Sequence, residues 1–179
     1  MGKDFFEEEQ CICSFWLYFF TIIVYAIVII PTMEALYSQV ILGVPYGDEL
    51  TTNRALLILL MFIIILLILT LWLFARMKLI VRVNDRGVSY RYPPFIAKER
   101  LIAKEDIEKH ELRKYSPIRE YGGWGIRYGW KKGEKAYNVR GNTGMQLYLK
   151  DGKKILFGTQ QGESFKQAMD KMMSTETNG

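Results

Sequence analysis

The sequence predicts a membrane α-helical hairpin followed by a mainly-β domain of about seven antiparallel strands, closed by one C-terminal helix. Three observations predict it. Residues 55–75 read ALLILLMFIIILLILTLWLFA, 21 residues without a charge between Arg54 and Arg76. At ~1.5 Å per residue they reach roughly 30 Å, the thickness of a bilayer's hydrocarbon core, and they lack the polar stripe of a buried soluble helix. A second uncharged run, CICSFWLYFFTIIVYAIVII, covers residues 11–30. Beyond Arg76 the apolar period changes from that of a helix to two residues, the period of a half-buried strand.

The N-terminal segment, residues 1–10, contains KDFFEEEQ. Its acidity is the reverse of the positive flank of a cleaved signal peptide, and no small-x-small site follows the apolar run. Residues 11–30 are therefore expected to be a retained span, closed by Pro31. Cys11 and Cys13, the two cysteines, fall at its mouth. They serve either as small apolar residues or as acylation sites, since a reducing compartment disfavours a disulfide. Residues 31–54 form an acidic loop with a turn signal at Gly43–Val44–Pro45–Tyr46–Gly47, and residues 55–75 return across the membrane. Neither predicted span holds Asp, Glu, Lys, Arg or His, the groups that mark ion and proton paths. The pair reads as an anchor.

Charge is distributed unevenly. Residues 1–30 carry a net −3, residues 31–75 a net −2, and residues 76–179 a net +10, from 22 Lys/Arg against 12 Asp/Glu. Arg76, Lys78, Arg82 and Arg86 directly follow the second span. The positive-inside rule then places both termini in the cytoplasm and the 31–54 loop outside. Trp16, Tyr18, Tyr25 and Trp72 fall near the expected interfaces, as belt aromatics do.

Residues 76–173 hold the soluble domain. KLIVRVN (78–84) alternates Leu79, Val81 and Val83 with polar neighbours, and Asp85–Arg86–Gly87 turns the chain into VSYRY (88–92). Pro93 and Pro94 stop that strand. Another strand begins at Ile107, and YSPIREYGGWG (115–125) has loop composition. Strands follow at about 125–129, 135–140, 145–150 and 153–158, the last two joined by Asp151–Gly152. Phe165, Ala168, Met169 and Met172 recur at helical spacing over residues 162–173, and residues 174–179 form a polar tail.

Several strands and then a single helix is the order of pleckstrin-homology-like (PH-like) domains, in which two sheets are plugged by the final helix. The segments YSPIREYGGWGIR, GNTGMQLYL and GKKILFGTQ resemble a family of small prokaryotic membrane proteins that carry two transmembrane helices and a bacterial PH-like domain of unknown function. The resemblance covers nearly the whole chain. It implies the fold and a prokaryotic inner-membrane location, and it implies no reaction. Many members of that family open the final helix with proline, where this chain has Gly162.

Candidates for chemistry are few. His110, the one histidine, has no second His or Cys nearby to share a metal. Glu105–Asp106 reads as the polar entry to a strand. The glycines Gly122, Gly123, Gly125, Gly141 and Gly144 invite a phosphate-loop reading, but no Gly-Lys-Ser/Thr follows them, and they are expected to be structural turn glycines. The segment GWGIRYGW offers the best surface: Trp124 and Trp130 flank Arg127, with Lys131 and Lys132 next in line. Aromatics among cations suit a lipid headgroup, an anionic ligand or a protein partner; the competing role places Trp124 in the core. No catalytic residue, metal or cofactor is expected, and nucleic acid is disfavoured because no recognition helix is evident. Three functions remain: a non-enzymatic membrane-anchored module binding anionic lipid or a protein; a subunit of a membrane transport or envelope-stress complex contacted through its helices; and a lipid-modifying enzyme, which would need Glu105, Asp106, His110 and Glu120 to act together.

Overall fold

The computed structural model describes residues 4–11, 15–44 and 53–174. The chain divides into two compact units, one of residues 13–75 and one that joins residues 1–12 to residues 76–179.

The helical unit consists of α1 (Phe15–Val40) and α2 (Asn53–Arg76), both long and apolar enough to cross a membrane. Two boundaries differ from expectation. Helix α1 starts at Phe15, so Cys11 belongs to a strand and not to a span; Cys13 lies outside the described residues. Helix α1 also continues through Pro31 for nine further residues. A proline removes one ladder hydrogen bond, yet apolar helices tolerate it because side-chain hydroxyls and local adjustment re-satisfy the backbone. The carbonyl freed by Pro31 is that of Ile27; Thr32 Oγ1 donates to its neighbour, the Val28 carbonyl, at 2.7 Å, and Met33, Glu34, Ala35 and Leu36 are good helix formers that carry the helix on. The extension brings Glu34 into the helix. Within this unit the Tyr25 hydroxyl lies 3.0 Å from Thr70 Oγ1, and Tyr18 meets Phe74 edge-on at 6.3 Å. The turn expected at Pro45–Gly47 and the tail residues 175–179 lie outside the described residues.

The β unit contains, in chain order, β1 (Phe6–Cys11), β2 (Lys78–Asn84), β3 (Gly87–Tyr92), β4 (Ile96–Ala103), a 3₁₀ turn (Lys104–Asp106), β5 (Ile107–Lys114), α3 (Pro117–Tyr121), β6 (Gly125–Tyr128), β7 (Glu134–Asn138), β8 (Thr143–Leu149), β9 (Lys154–Gly158) and α4 (Gly162–Ser174). Nine strands are thus present among the described residues, against about seven expected; β1 and β4 are the additions. They form two open sheets, β1-β2-β3-β4 and β5-β8-β9-β7-β6, not a closed barrel. All pairings are antiparallel except β7 with β9. That parallel pair arises because β9, turning back from β8 at Asp151–Gly152, inserts between β8 and β7.

The core lies between the sheets. Leu79, Val81 and Val83 of β2 meet Val88, Tyr90 and Tyr92 of β3, Met145 and Leu147 of β8, and Phe157 of β9. Helix α4 inserts Phe165, Ala168, Met169 and Met172, the four residues at helical spacing, and all four are buried.

The acidic N-terminal segment is part of this core. Strand β1 pairs with β2 from Phe6–Val83 to Cys11–Lys78. Phe6 points inward and stacks on Phe165 of α4, ring centroids 4.8 Å apart. On the same face, Glu8 and Gln10 are only 5% exposed. The Glu8 carboxylate accepts from Thr159 Oγ1 at 2.6 Å and from the Gln160 N–H at 2.8 Å, while Gln10 Nε2 donates to the Gly158 carbonyl at 2.7 Å. Strand β1 of one sheet therefore clamps the β9–α4 junction of the other. Its outward residues Glu7 and Glu9 pair with Arg82 and Lys78. Residues 1–12 carry a net −3, so the folded unit has +7 where the C-terminal segment alone has +10.

Buried tyrosines predict an alkaline limit to stability. Burial pushes the Tyr92 hydroxyl up to about 12, and burial likewise raises Tyr115, Tyr121 and Tyr137 above the ordinary tyrosine value. Above pH ~10 the unfolded chain releases protons that the native state keeps. The stabilisation is therefore complete below pH 10 and is lost as pH rises toward 12. Tyr92 alone accounts for about 2 kcal/mol of that loss. The part of the tyrosinate absorbance that belongs to the buried tyrosines should rise only in step with unfolding; ionisation of all tyrosines near pH 10 in a folded domain would contradict it.

Candidate functional site

Strand β6 ends its sheet, and the segments on either side of it carry the surface predicted from GWGIRYGW. The local fold follows from Pro117 and two glycines. Pro117 starts α3, and Gly122, in the left-handed region at φ 70°, ends it. The Gly122 and Gly123 N–H groups return to the carbonyls of Ile118 and Pro117, each at 2.9 Å, reversing the chain toward β6. Asn138 at the end of β7 then fixes the start of β6: its side-chain oxygen accepts the Gly125 N–H at 2.8 Å.

Trp124 is 44% exposed, so it lies outside the core; its indole N–H donates to the Gly141 carbonyl at 3.3 Å. Arg127 Nε donates to the Trp124 carbonyl at 3.0 Å. Trp130 is 81% exposed and is held by an N–H bond to the Arg119 carbonyl of α3 at 2.7 Å. Lys131 and Lys132 are exposed in the turn that follows. Ile118, also exposed, adds an apolar side chain from α3. Both indoles are thus oriented by backbone carbonyls while their rings face solvent.

Of the turn glycines, Gly122 and Gly123 sit in the reversal after α3, Gly125 opens β6, and Gly141 lies between β7 and β8. Gly144 is not in a turn. It pairs with Gly158 inside β8, where a Cβ would stand 3.0 Å from the Phe157 carbonyl oxygen and 3.1 Å from Leu156 Cγ. Close approach of two strands, not turning, explains it.

Glu105, Asp106, His110 and Glu120 have separate engagements. Glu105 and Asp106 lie on the 3₁₀ turn, where the Asp106 carbonyl accepts the Lys150 N–H. His110 Nε2 lies 2.8 Å from Asp170 Oδ1 of α4. Glu120 accepts the Ser116 N–H and pairs with Arg113 Nη1 at 2.8 Å. Arg113 also reaches Gln146 Oε1 and the Tyr121 hydroxyl, which fastens α3 to the outer face of the five-stranded sheet. Among the described residues no three of His, Cys, Asp and Glu are grouped to hold a metal.

Two of the depressions in the β unit carry polar linings that were not foreseen. One is an open groove of about 510 Å³ beside the start of α4, lined by Leu112, Lys114, Asn142, Thr143, Gln160 and Glu163 among others. The other, about 240 Å³, lies between the sheets and is lined by tyrosines and cations. Their lining comes from strands distant in sequence, so no local motif marks either.

The fold and surface define a class: two helices able to cross a membrane, joined to a two-sheet β unit with a C-terminal helix. No family model, curated protein or solved structure matches this chain.

Proposed function

We propose that the chain is a membrane-anchored, non-enzymatic interaction module: a PH-like domain at the cytoplasmic face whose β6-edge surface takes anionic lipid headgroups. The observation that carries the reading is Trp130, 81% exposed and held by its indole N–H, beside Lys131 and Lys132. An oriented aromatic next to unburied cations suits the interface between apolar chains and phosphates. Pairing of Cys11 with Lys78 supports a common side for both ends of the helical hairpin, because the segment entering α1 and the segment leaving α2 belong to one sheet. Arg76, Lys78, Arg82 and Arg86 favour the cytoplasm as that side. The two-sheet arrangement with its final helix, and the resemblance to two-span prokaryotic proteins, favour the PH-like assignment.

The test uses the full chain in zwitterionic nanodiscs, mixed with separate vesicles of phosphatidylcholine or phosphatidylglycerol over a salt series. Co-flotation should require phosphatidylglycerol and fade with salt. Lys131→Gln with Lys132→Gln should weaken it roughly thirtyfold, at ~1 kcal/mol for each cation near an anionic surface. Equal co-flotation with both lipids, or none, rejects the anionic headgroup as ligand. A protein partner then becomes the reading, sought by photo-crosslinking from position 130.

A reading in which the helices contact a larger membrane complex draws on the apolar side chains exposed all around α1 and α2. Replacing both by unrelated apolar helices separates the two readings: retained function makes the helices only an anchor.

A further inference from the structure

The smaller cavity lies where β4 ends one sheet and β6 ends the other. Tyr90, Arg100, Tyr128, Lys135, Tyr137 and Lys153 line it, with Ile155 as an apolar wall. Register explains the convergence. Tyr90 stands opposite Arg100 across β3–β4, Tyr128 opposite Lys135 across β6–β7, and Lys135 opposite Ile155 across β7–β9. Alternate residues of a strand share a face, so Lys135 and Tyr137 enter the cavity together.

The lining holds three cations against one carboxylate, Glu134, a net +2. Glu134 is itself engaged by Lys154, outside the lining, at 3.4 Å. Lys153 pairs with Asp151 at 2.6 Å, which leaves Arg100 and Lys135 as the principal cations; the Lys135 ammonium sits 5.0 Å from the Tyr128 ring centre. At the floor the Tyr90 and Tyr137 hydroxyls are 3.3 Å apart. Two hydroxyls carry two protons, and the bond between them uses one. The other proton is available to a ligand oxygen. Burial keeps Tyr137 protonated far beyond neutral pH, so this hydroxyl pair stays a donor.

We propose that this cavity binds a phosphate monoester dianion, with Arg100 and Lys135 neutralising the phosphate, the tyrosine pair donating to it, and Tyr128 and Ile155 flanking the apolar part. A monoester carries about −1.5 to −2 at pH 7, which the lining balances, whereas a carboxylate leaves one cation unmatched. At about 240 Å³ the cavity is smaller than a typical drug-sized pocket of roughly 300 Å³ or more, so it takes a small ester or the end of a larger one. A soluble ester and a lipid phosphomonoester share this chemistry.

The full chain in zwitterionic nanodiscs is titrated calorimetrically with phenyl phosphate. Saturable one-to-one binding is expected, weakened at least about tenfold by Arg100→Gln and, separately, by Lys135→Gln, as befits charge-assisted hydrogen bonds. Tyr137→Phe should give a smaller loss. Lys166→Gln, the same charge change on α4, should leave binding unchanged. Thermal unfolding of each variant confirms its fold, and two independent cation variants guard against one that fails to fold. Absence of saturable binding, equal loss in Lys166→Gln, or benzoate binding as tightly as phenyl phosphate overturns the proposal. Repeating the titration with phosphatidic acid in the nanodisc assigns the source. Competition points to the lipid, unchanged affinity to a soluble ester, and either result upholds the phosphate site.

Discussion

Removal of residues 1–10 is expected to unfold the β unit, although the segment lies at the far end of the chain from most of it. Strand β1 fills three roles at once. It buries Phe6 against Phe165, it covers the β2 edge with a full ladder, and it supplies the Glu8 and Gln10 partners of the β9–α4 junction. Phe6→Ala alone should cost about 3 kcal/mol from lost burial and the cavity left behind. Losing the Glu8 side chain leaves the Thr159 hydroxyl and the Gln160 N–H without their acceptor, at about 1–3 kcal/mol for each group kept from water. Together these approach the whole stability of an ordinary domain, about 5–15 kcal/mol. Thermal unfolding of the truncated chain in detergent micelles, followed by tryptophan emission, should show no cooperative transition for the β unit. A transition at the full-length temperature would sink the claim. Glu7→Gln and Glu9→Gln provide the contrast. Their partners are Arg82 and Lys78 on the half-exposed outer face, and each change should cost less than about 1 kcal/mol. A fragment beginning at Met77 lacks the same strand and is likewise expected to show no cooperative transition.

That strand was hard to see in the sequence for a physical reason. FEEEQC alternates correctly, but two of its three inward residues are Glu8 and Gln10, so the apolar period that signals a strand is absent. Its partner lies beyond both long helices, and three consecutive glutamates are not the composition of a strand that faces a core. The visible clue was charge complementarity, Glu7 and Glu9 against Lys78 and Arg82. Strand β4 was missed for a related reason. In IAKERLIA most residues are exposed, as befits the last strand of a sheet, and no single apolar face stands out. Where one face is buried and apolar, as in 78–84 and 145–149, or where a helix lays one stripe into the core, as at Phe165–Met172, the pattern alone located the element. The parallel β7–β9 pair was out of reach because neighbouring strands in sequence usually pair as hairpins, and nothing in residues 134–138 declares which strand will insert beside them. At the candidate site, residue types showed that Trp124 and Trp130 could accompany cations. Only the backbone shows that each indole is held from behind. The cavity cations come from strands too far apart in sequence to suggest one another.

Asn138→Ala should be the most damaging single change near the site, at about 2–4 kcal/mol, because this fully buried side chain serves two elements simultaneously. Its oxygen accepts the Gly125 N–H that starts β6, and its Nδ2 donates to the Tyr115 hydroxyl at 3.0 Å, ahead of α3. Its own backbone carbonyl accepts from Tyr92 across the core at 3.3 Å. Alanine keeps that last bond and removes the first two, leaving a buried N–H unpaired. Gly158 is fixed by the same side chain: a Cβ added there would stand 2.8 Å from Asn138 Cβ, so the backbone of β9 approaches Asn138 closely only because residue 158 has no side chain. Tyr115→Phe separates the contributions. It deletes one hydrogen bond, takes the acceptor from Asn138 Nδ2 and retains the ring against Tyr121, at about 1–3 kcal/mol, while the Gly125 N–H keeps its acceptor. The readout is local as well as global. Amide exchange at Gly125 should accelerate strongly in Asn138→Ala and little in Tyr115→Phe, and Trp124 emission should shift only in the former. If Gly125 exchange is unchanged in Asn138→Ala, the start of β6 is held by its ladder with β7, and Asn138 does not position the tryptophan surface. If it accelerates while the melting temperature of the domain falls only modestly, the side chain acts chiefly on the surface, and loss of lipid binding in this variant would then tie the proposed function to a residue that never touches the ligand.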